Sequence, residues 1–156
     1  MDLNLPVGYF AFDYFWVLAI LAVVIGIIYL RNSWKKIVAV RPELRKGYDQ
    51  LLLSYLVFFN IPWIVMGIGM IFGGIPSSLS FFKPRNGSIF ILAFYVSIVL
   101  LWILGAGWLY LKGGAEFLIK HPGSMNSTLN SPKQVKIFYG LTLVFGIVAM
   151  ILIWSW

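Results

Sequence analysis

"LLLSYLVFFNIPWIVMGIGMIFGGI", Leu51 to Ile75, runs for 25 residues without a Lys, Arg, Asp or Glu. At 1.5 Å per residue a helix of this length covers about 37 Å, more than the roughly 30 Å hydrocarbon core of a bilayer. The apolar residues follow one another without period-two alternation, which selects a helix over a barrel strand. This reading decides the fold, because three further stretches have the same character.

Those stretches are Tyr14 to Leu30 ("YFWVLAILAVVIGIIYL"), Ile89 to Leu111 and Ile137 to Trp156. With a turn added at their ends, the expected spans are 11–31, 50–75, 88–111 and 137–156, joined by long loops at 32–49 and 112–136. The expected fold class is an all-α integral membrane protein, a single domain over 1–156. Its four transmembrane helices form two out-in-out hairpins in a small bundle, with the second span kinked at Pro62. Composition agrees: 61% of residues are hydrophobic and 11% charged, against roughly 45–50% and about 25% in soluble globular chains. So few charges cannot cover the surface of a water-soluble fold. The first apolar run follows Asp2 and Asp13, lacks a basic leader and ends in "YLRNSWKK", so it reads as a retained helix and not as a signal peptide.

Charge sets the expected orientation. Arg31, Lys35, Lys36, Arg41, Arg45 and Lys46 follow span one, and Lys112, Lys120, Lys133 and Lys136 follow span three, whereas only Lys83 and Arg85 lie between spans two and three. The positive-inside rule puts both long loops in the cytoplasm and both termini outside, periplasmic if the membrane is a bacterial inner membrane. The formal charge of +7 then reflects topology. No nucleic-acid-binding motif accompanies it, and nucleic acid is not an expected partner. Anionic lipids at the cytoplasmic face are, at about 1 kcal/mol per surface-lying Lys or Arg. Tyr9, Tyr14, Trp16, Phe81, Phe82, Trp154 and Trp156 are expected at the outer interface. Tyr29, Trp34, Tyr48, Trp108, Tyr110 and Tyr139 are expected at the inner one, as aromatic anchors.

Within the first cytoplasmic loop, Arg41-Pro42 should end an extension of span one, since the residue before proline avoids the helical region. Pro42 can then open the next helix, with Glu43 in its first turn.

Inside the membrane, spans two to four carry no ionisable group between their ends, whereas pumps and many transporters need one. The deep polar feature is Asn60 with Pro62. Pro62 lacks an N–H, so the second span should kink there. The Asn60 amide should bond to a neighbouring helix, or else line a cavity or meet another subunit. Beyond it, Gly67, Gly69 and Gly73 make a small face, with Gly69 and Gly73 in the GxxxG spacing that lets a second helix approach.

"KGGAEFLIKHPG", Lys112 to Gly123, holds the chain's one histidine. Glu116 and His121 would lie about 140° apart on a helix and so on different faces. Glu116 and Lys120 form a favourable i,i+4 pair. The segment reads as an interfacial turn, with Phe117, Leu118 and Ile119 toward the bilayer and Glu116, Lys120 and His121 as a candidate docking surface. One His, no Cys and five scattered carboxylates leave no metal-ligand set, and no nucleophile motif surrounds His121. No cofactor is expected. The expected function is non-enzymatic: an accessory or assembly subunit, or an immunity-like binding partner, contacting another membrane protein or itself. The alternative is a small oligomeric transporter or channel with a pathway near Asn60 and Pro62.

Overall fold

A computed structural model describes residues 13–83, 87–124 and 129–155. Helix α1 is Phe15–Val40. Helix α2 is Arg45–Phe72, entered through a 3₁₀ turn at Pro42–Leu44. Helix α3 is Ile89–Ala106 and continues into a π-helical turn at Gly107–Leu111. The short α4 is Gly114–Lys120, and α5 is Pro132–Ser155. Helices α1, α2, α3 and α5 are long and apolar enough to cross a membrane, so the chain, all-helical among its described residues, is a membrane protein.

The helix boundaries follow local chemistry. Arg41 takes an extended φ of −131° before Pro42 and ends α1, its N–H donating to the Ile37 carbonyl at 2.8 Å; a residue before proline is kept out of the helical region by the ring. Pro42 then starts the next helix with Glu43 in its first turn. The 32–49 segment is therefore not a loop: it is helical apart from Arg41. The second expected loop, 112–136, also contains helix, because α4 lies within it and α5 begins at Pro132, five residues before Ile137. Ser131 Oγ accepts from the Gln134 N–H at 3.3 Å, and Gln134 Oε1 accepts from the Asn130 N–H at 2.8 Å. These two bonds satisfy donors at the helix start much as a capping box does, with Pro132 at the first helical position. Helix α2 passes Pro62 without an interruption in its helical residues.

Helix α1 packs along α2, and α2 along α3. Helix α5 meets α3 through aromatic side chains: Tyr139 donates to the Trp102 carbonyl at 2.8 Å, and Tyr110 of α3's π turn donates to the Lys136 carbonyl. Two separate apolar clusters form, one at each end of the helices. At the basic end lie Trp34, Tyr48, Leu51, Leu109, Ala115, Leu118 and Val135. At the opposite end lie Met66, Ile75, Phe81, Ile91, Phe94 and Tyr95, with Trp16, Met150 and Ile153 packed against them.

Some expected interface anchors are in fact core. Phe81, expected at the outer surface, is fully buried, because a 3₁₀ helix at Ser78–Phe82 folds back under the ends of α2 and α3. There Tyr95 donates to the Phe81 carbonyl at 2.8 Å, and the Phe81 and Phe94 rings meet edge-on at 5.5 Å. Trp34 and Tyr48 are likewise buried at the basic end.

Candidate functional site

The segment around His121 is built from the backbone up. Gly113 takes φ +73°, a left-handed conformation that glycine adopts without steric cost, and this breaks the π turn from α4. Helix α4 buries Ala115 and Leu118 in the basic-end cluster and leaves Glu116 and Lys120 exposed. Its exit is a β-turn in which the Ser124 N–H donates to the His121 carbonyl at 3.2 Å. Pro122 occupies the second position and Gly123 the third, at φ +77°, which is the sequence and geometry of a type II turn.

Three side chains of the α1–α2 hairpin close on this turn. Tyr48 OH donates to the Pro122 carbonyl at 2.7 Å, Trp34 Nε1 to the Gly123 carbonyl at 3.1 Å and Tyr55 OH to the Ser124 carbonyl at 3.3 Å. Ser124 Oγ in turn donates to the Leu118 carbonyl at 3.1 Å. Non-helical backbone near a bilayer needs partners for its carbonyls, and here three consecutive carbonyls obtain them from one hairpin.

His121 faces inward and is only 6% exposed. Its Nδ1 lies 2.7 Å from the Phe117 carbonyl. A carbonyl can only accept, so Nδ1 is the donor in this bond. The ring stacks on Phe117 at 4.1 Å and meets Tyr48 edge-on at 5.1 Å. Nε2 occupies the space that a side chain at Gly47 would fill. His121 is thus a packing and hydrogen-bonding residue, and it does not share an exposed docking face with Glu116 and Lys120.

Glu116 pairs differently from its expected i,i+4 partner. Its Oε1 accepts from Lys136 Nζ of α5 at 3.2 Å. Helix α4 is only two turns long and lies against the start of α5, which brings Lys136 across. A hydrogen bond from its own backbone N–H, then the one from Lys136, holds the Glu116 carboxyl below the usual carboxylate range.

Deeper in α2, Asn60 is 6% exposed and donates from Nδ2 to the Leu56 carbonyl of its own helix at 2.7 Å. This intrahelical bond replaces the expected one to a neighbouring helix: the carbonyl one turn back is in reach without any displacement. Asn60 Oδ1 is buried and has no hydrogen-bond partner among the described residues. Pro62 is also buried. The glycines beyond it seat aromatic side chains of neighbouring elements. Gly67 lies under the Trp16 indole, Gly69 under the Phe81 ring and the Phe90 Cβ, and Gly73 under the Phe90 ring.

Sequence reasoning missed the Trp34, Tyr48 and Tyr55 clamp, since its bonds join residues 69 to 89 positions apart. One signal was available. Gly47 lies inside a helix, where glycine costs about 1 kcal/mol relative to alanine and so implies a close approach. Among the described residues no three His, Asp or Glu side chains gather as metal ligands. No protein-family model, curated protein or solved structure matches the chain.

Proposed function

We propose that the chain is a non-enzymatic membrane subunit that acts by lateral contact with another membrane protein, in an accessory, assembly or immunity-like role. The observation that carries this reading is the state of its outer helices. In the most apolar stretches of α1 and α5 no residue is buried, and Ile25 and Phe145 are among the most exposed side chains of the two helices. Both helices therefore offer whole faces to whatever lies beside them in the bilayer. The charge asymmetry further supports an orientation with the basic end cytoplasmic and both termini outside, which is periplasmic in a bacterial inner membrane.

A photo-crosslinking residue placed at Ile25 or Phe145 in intact membranes tests this. The expected outcome is one discrete protein adduct from these positions and none from buried Met66. An adduct with a second copy of the chain identifies self-association. Only lipid adducts at every outward position, with no stoichiometric partner in mild detergents, would sink the reading.

A second reading rests on Asn60. A buried acceptor without a donor is costly, and a pathway for water or a polar solute beside Asn60 and Pro62 would supply one. In that case the chain is a small oligomeric transporter or channel, and Asn60→Ala changes flux in liposomes without changing assembly. Absence of flux across a broad ion and solute panel removes this alternative.

A further inference from the structure

The charge at the basic end is unevenly used. Ten Lys and Arg residues lie there against Glu43, Asp49 and Glu116; the remaining charged residues of the chain, Asp2, Asp13, Lys83 and Arg85, cancel, so the whole formal charge of +7 resides at that end. On the α4–α5 side, Lys136 is engaged by Glu116 at 3.2 Å. On the tip of the α1–α2 hairpin, Lys35, Lys36, Arg41, Arg45 and Lys46 are all exposed. There Arg45 alone has an acidic neighbour within ion-pair distance among the described residues, Asp49 at 4.0 Å, and that pair is itself largely in solvent.

The tip also has the right depth. Helix α1 has 26 residues, and α2 with its 3₁₀ entry has 31. At 1.5 Å per residue these are about 39 and about 46 Å, against roughly 30 Å of hydrocarbon and 40–45 Å including the headgroup layers. The two helices exceed the hydrocarbon core by about 9 and about 16 Å, enough to carry the tip through a headgroup layer of roughly 5–7 Å. Lys35, Lys36 and Lys46 stand one to two turns below Arg41 along it. Exposed apolar side chains accompany the cations at this end: Val40 is 81%, Leu53 63% and Leu111 80% exposed. Cations interleaved with apolar side chains, on stems long enough to reach back toward the interface, suit a lipid headgroup better than an acidic soluble peptide.

We propose that the α1–α2 hairpin tip is a binding surface for the phosphate-bearing headgroups of anionic lipids, with Lys35, Lys36, Arg41, Arg45 and Lys46 as its contacts. This rests on the membrane-subunit reading and divides its surfaces: lipid headgroups at the tip, a protein partner on the lateral helix faces.

The test uses the full chain in nanodiscs of phosphatidylcholine with a minority of phosphatidylglycerol, reading the lipids that stay bound after extraction by mass spectrometry. Wild type should retain phosphatidylglycerol in excess over the bulk ratio. A variant carrying K35Q, K36Q, R41Q, R45Q and K46Q should fall to the bulk ratio, each lost cation weakening retention by up to about five-fold. A K112Q/K133Q control, of exposed residues outside the tip, should keep most of the excess. Equal retention in the five-site variant overturns the proposal, as does competition by inorganic phosphate or a soluble acidic peptide as effective as that by vesicles of the same charge. A laterally crosslinked partner that persists in the five-site variant shows that the two surfaces are separate, and its persistence alongside unchanged lipid retention overturns the lipid site alone.

Discussion

The two ends of the molecule are closed by different means. At the opposite end, ring packs on ring: Phe81, Phe94 and Tyr95 form successive edge-on contacts, with Trp154 against Tyr95 at 5.5 Å. The hydrogen bonds there are short in sequence: Tyr95 to the Phe81 carbonyl joins residues 14 apart, and Ser78 to Met70 Sδ residues 8 apart. At the basic end, the bonds to the 122–124 turn join residues 69, 74 and 89 apart. The contrast follows from what each end must cover. A short 3₁₀ return satisfies much of its own backbone, whereas an open type II turn leaves several carbonyls in need of donors. Buried aromatic hydroxyls and an indole supply both the donor and the apolar bulk.

The strongest way to break the comparison is at Gly47. Gly47→Val places a branched side chain where His121 sits and should destabilise the basic end by about 3 kcal/mol, the upper part of the overpacking range. Adding His121→Ala should recover part of that loss in thermal unfolding in detergent. If the double variant is no more stable than Gly47→Val alone, the close approach is not the cause.

Removing single hydroxyls compares the two ends directly. Tyr48→Phe strips the donor from the Pro122 carbonyl and should cost about 1–2 kcal/mol, as a buried acceptor loses its partner. Hydrogen exchange should then rise across α4 and the 121–124 turn. Tyr95→Phe should loosen only the 78–82 return. A matching rise at both ends after either substitution would mean that the helices couple the clusters into one cooperative unit.

A smaller effect is expected between the ends. Asn60→Leu removes a buried amide with an orphan acceptor for an apolar side chain of similar size. Its stability should stay within about 1 kcal/mol of wild type. A large loss would mean that Asn60 Oδ1 has a donor in the membrane, and would favour the pathway reading.

The smallest effect is at Glu116. Its folded-state pKa is depressed by its backbone hydrogen bond and by Lys136, so its contribution is present above the unfolded-state carboxyl pKa and is lost as pH falls through the folded value. Glu116→Gln should slightly lower the thermal midpoint at neutral pH and flatten its acid dependence. An unchanged acid dependence would show that the exposed pair contributes nothing measurable, as many surface ion pairs do.

Much of this was legible in the residues. Arg41-Pro42 marked the break between α1 and α2, because proline restricts its neighbour whatever the surrounding fold. The start of α5 was legible too, in Ser131-Pro132 with Gln134 three positions on, but the apolar count placed it later, at Ile137. Trp34, Tyr48 and Phe81 were misplaced at the interface because an aromatic ring near a helix end suits lipid or core equally well. Which one it meets depends on what folds over it. Glu116 found Lys136 instead of Lys120 for the same reason: sequence spacing ranks partners on one helix but is silent about those on another.

By itself the sequence determined that the chain is an all-helical membrane protein with four long apolar helices, and that its net charge lies between particular pairs of them. Apolar length and charge are sums over neighbouring residues, and no distant contact alters them. Only the tertiary structure decided that His121 would rest on Gly47, that Trp34, Tyr48 and Tyr55 would hold the Pro122–Ser124 carbonyls, and that the glycines beyond Asn60 would seat aromatic rings. Each of these depends on the relative position of backbones far apart in the chain, which is set when the helices pack and aromatic donors settle on the carbonyls that the turns leave open.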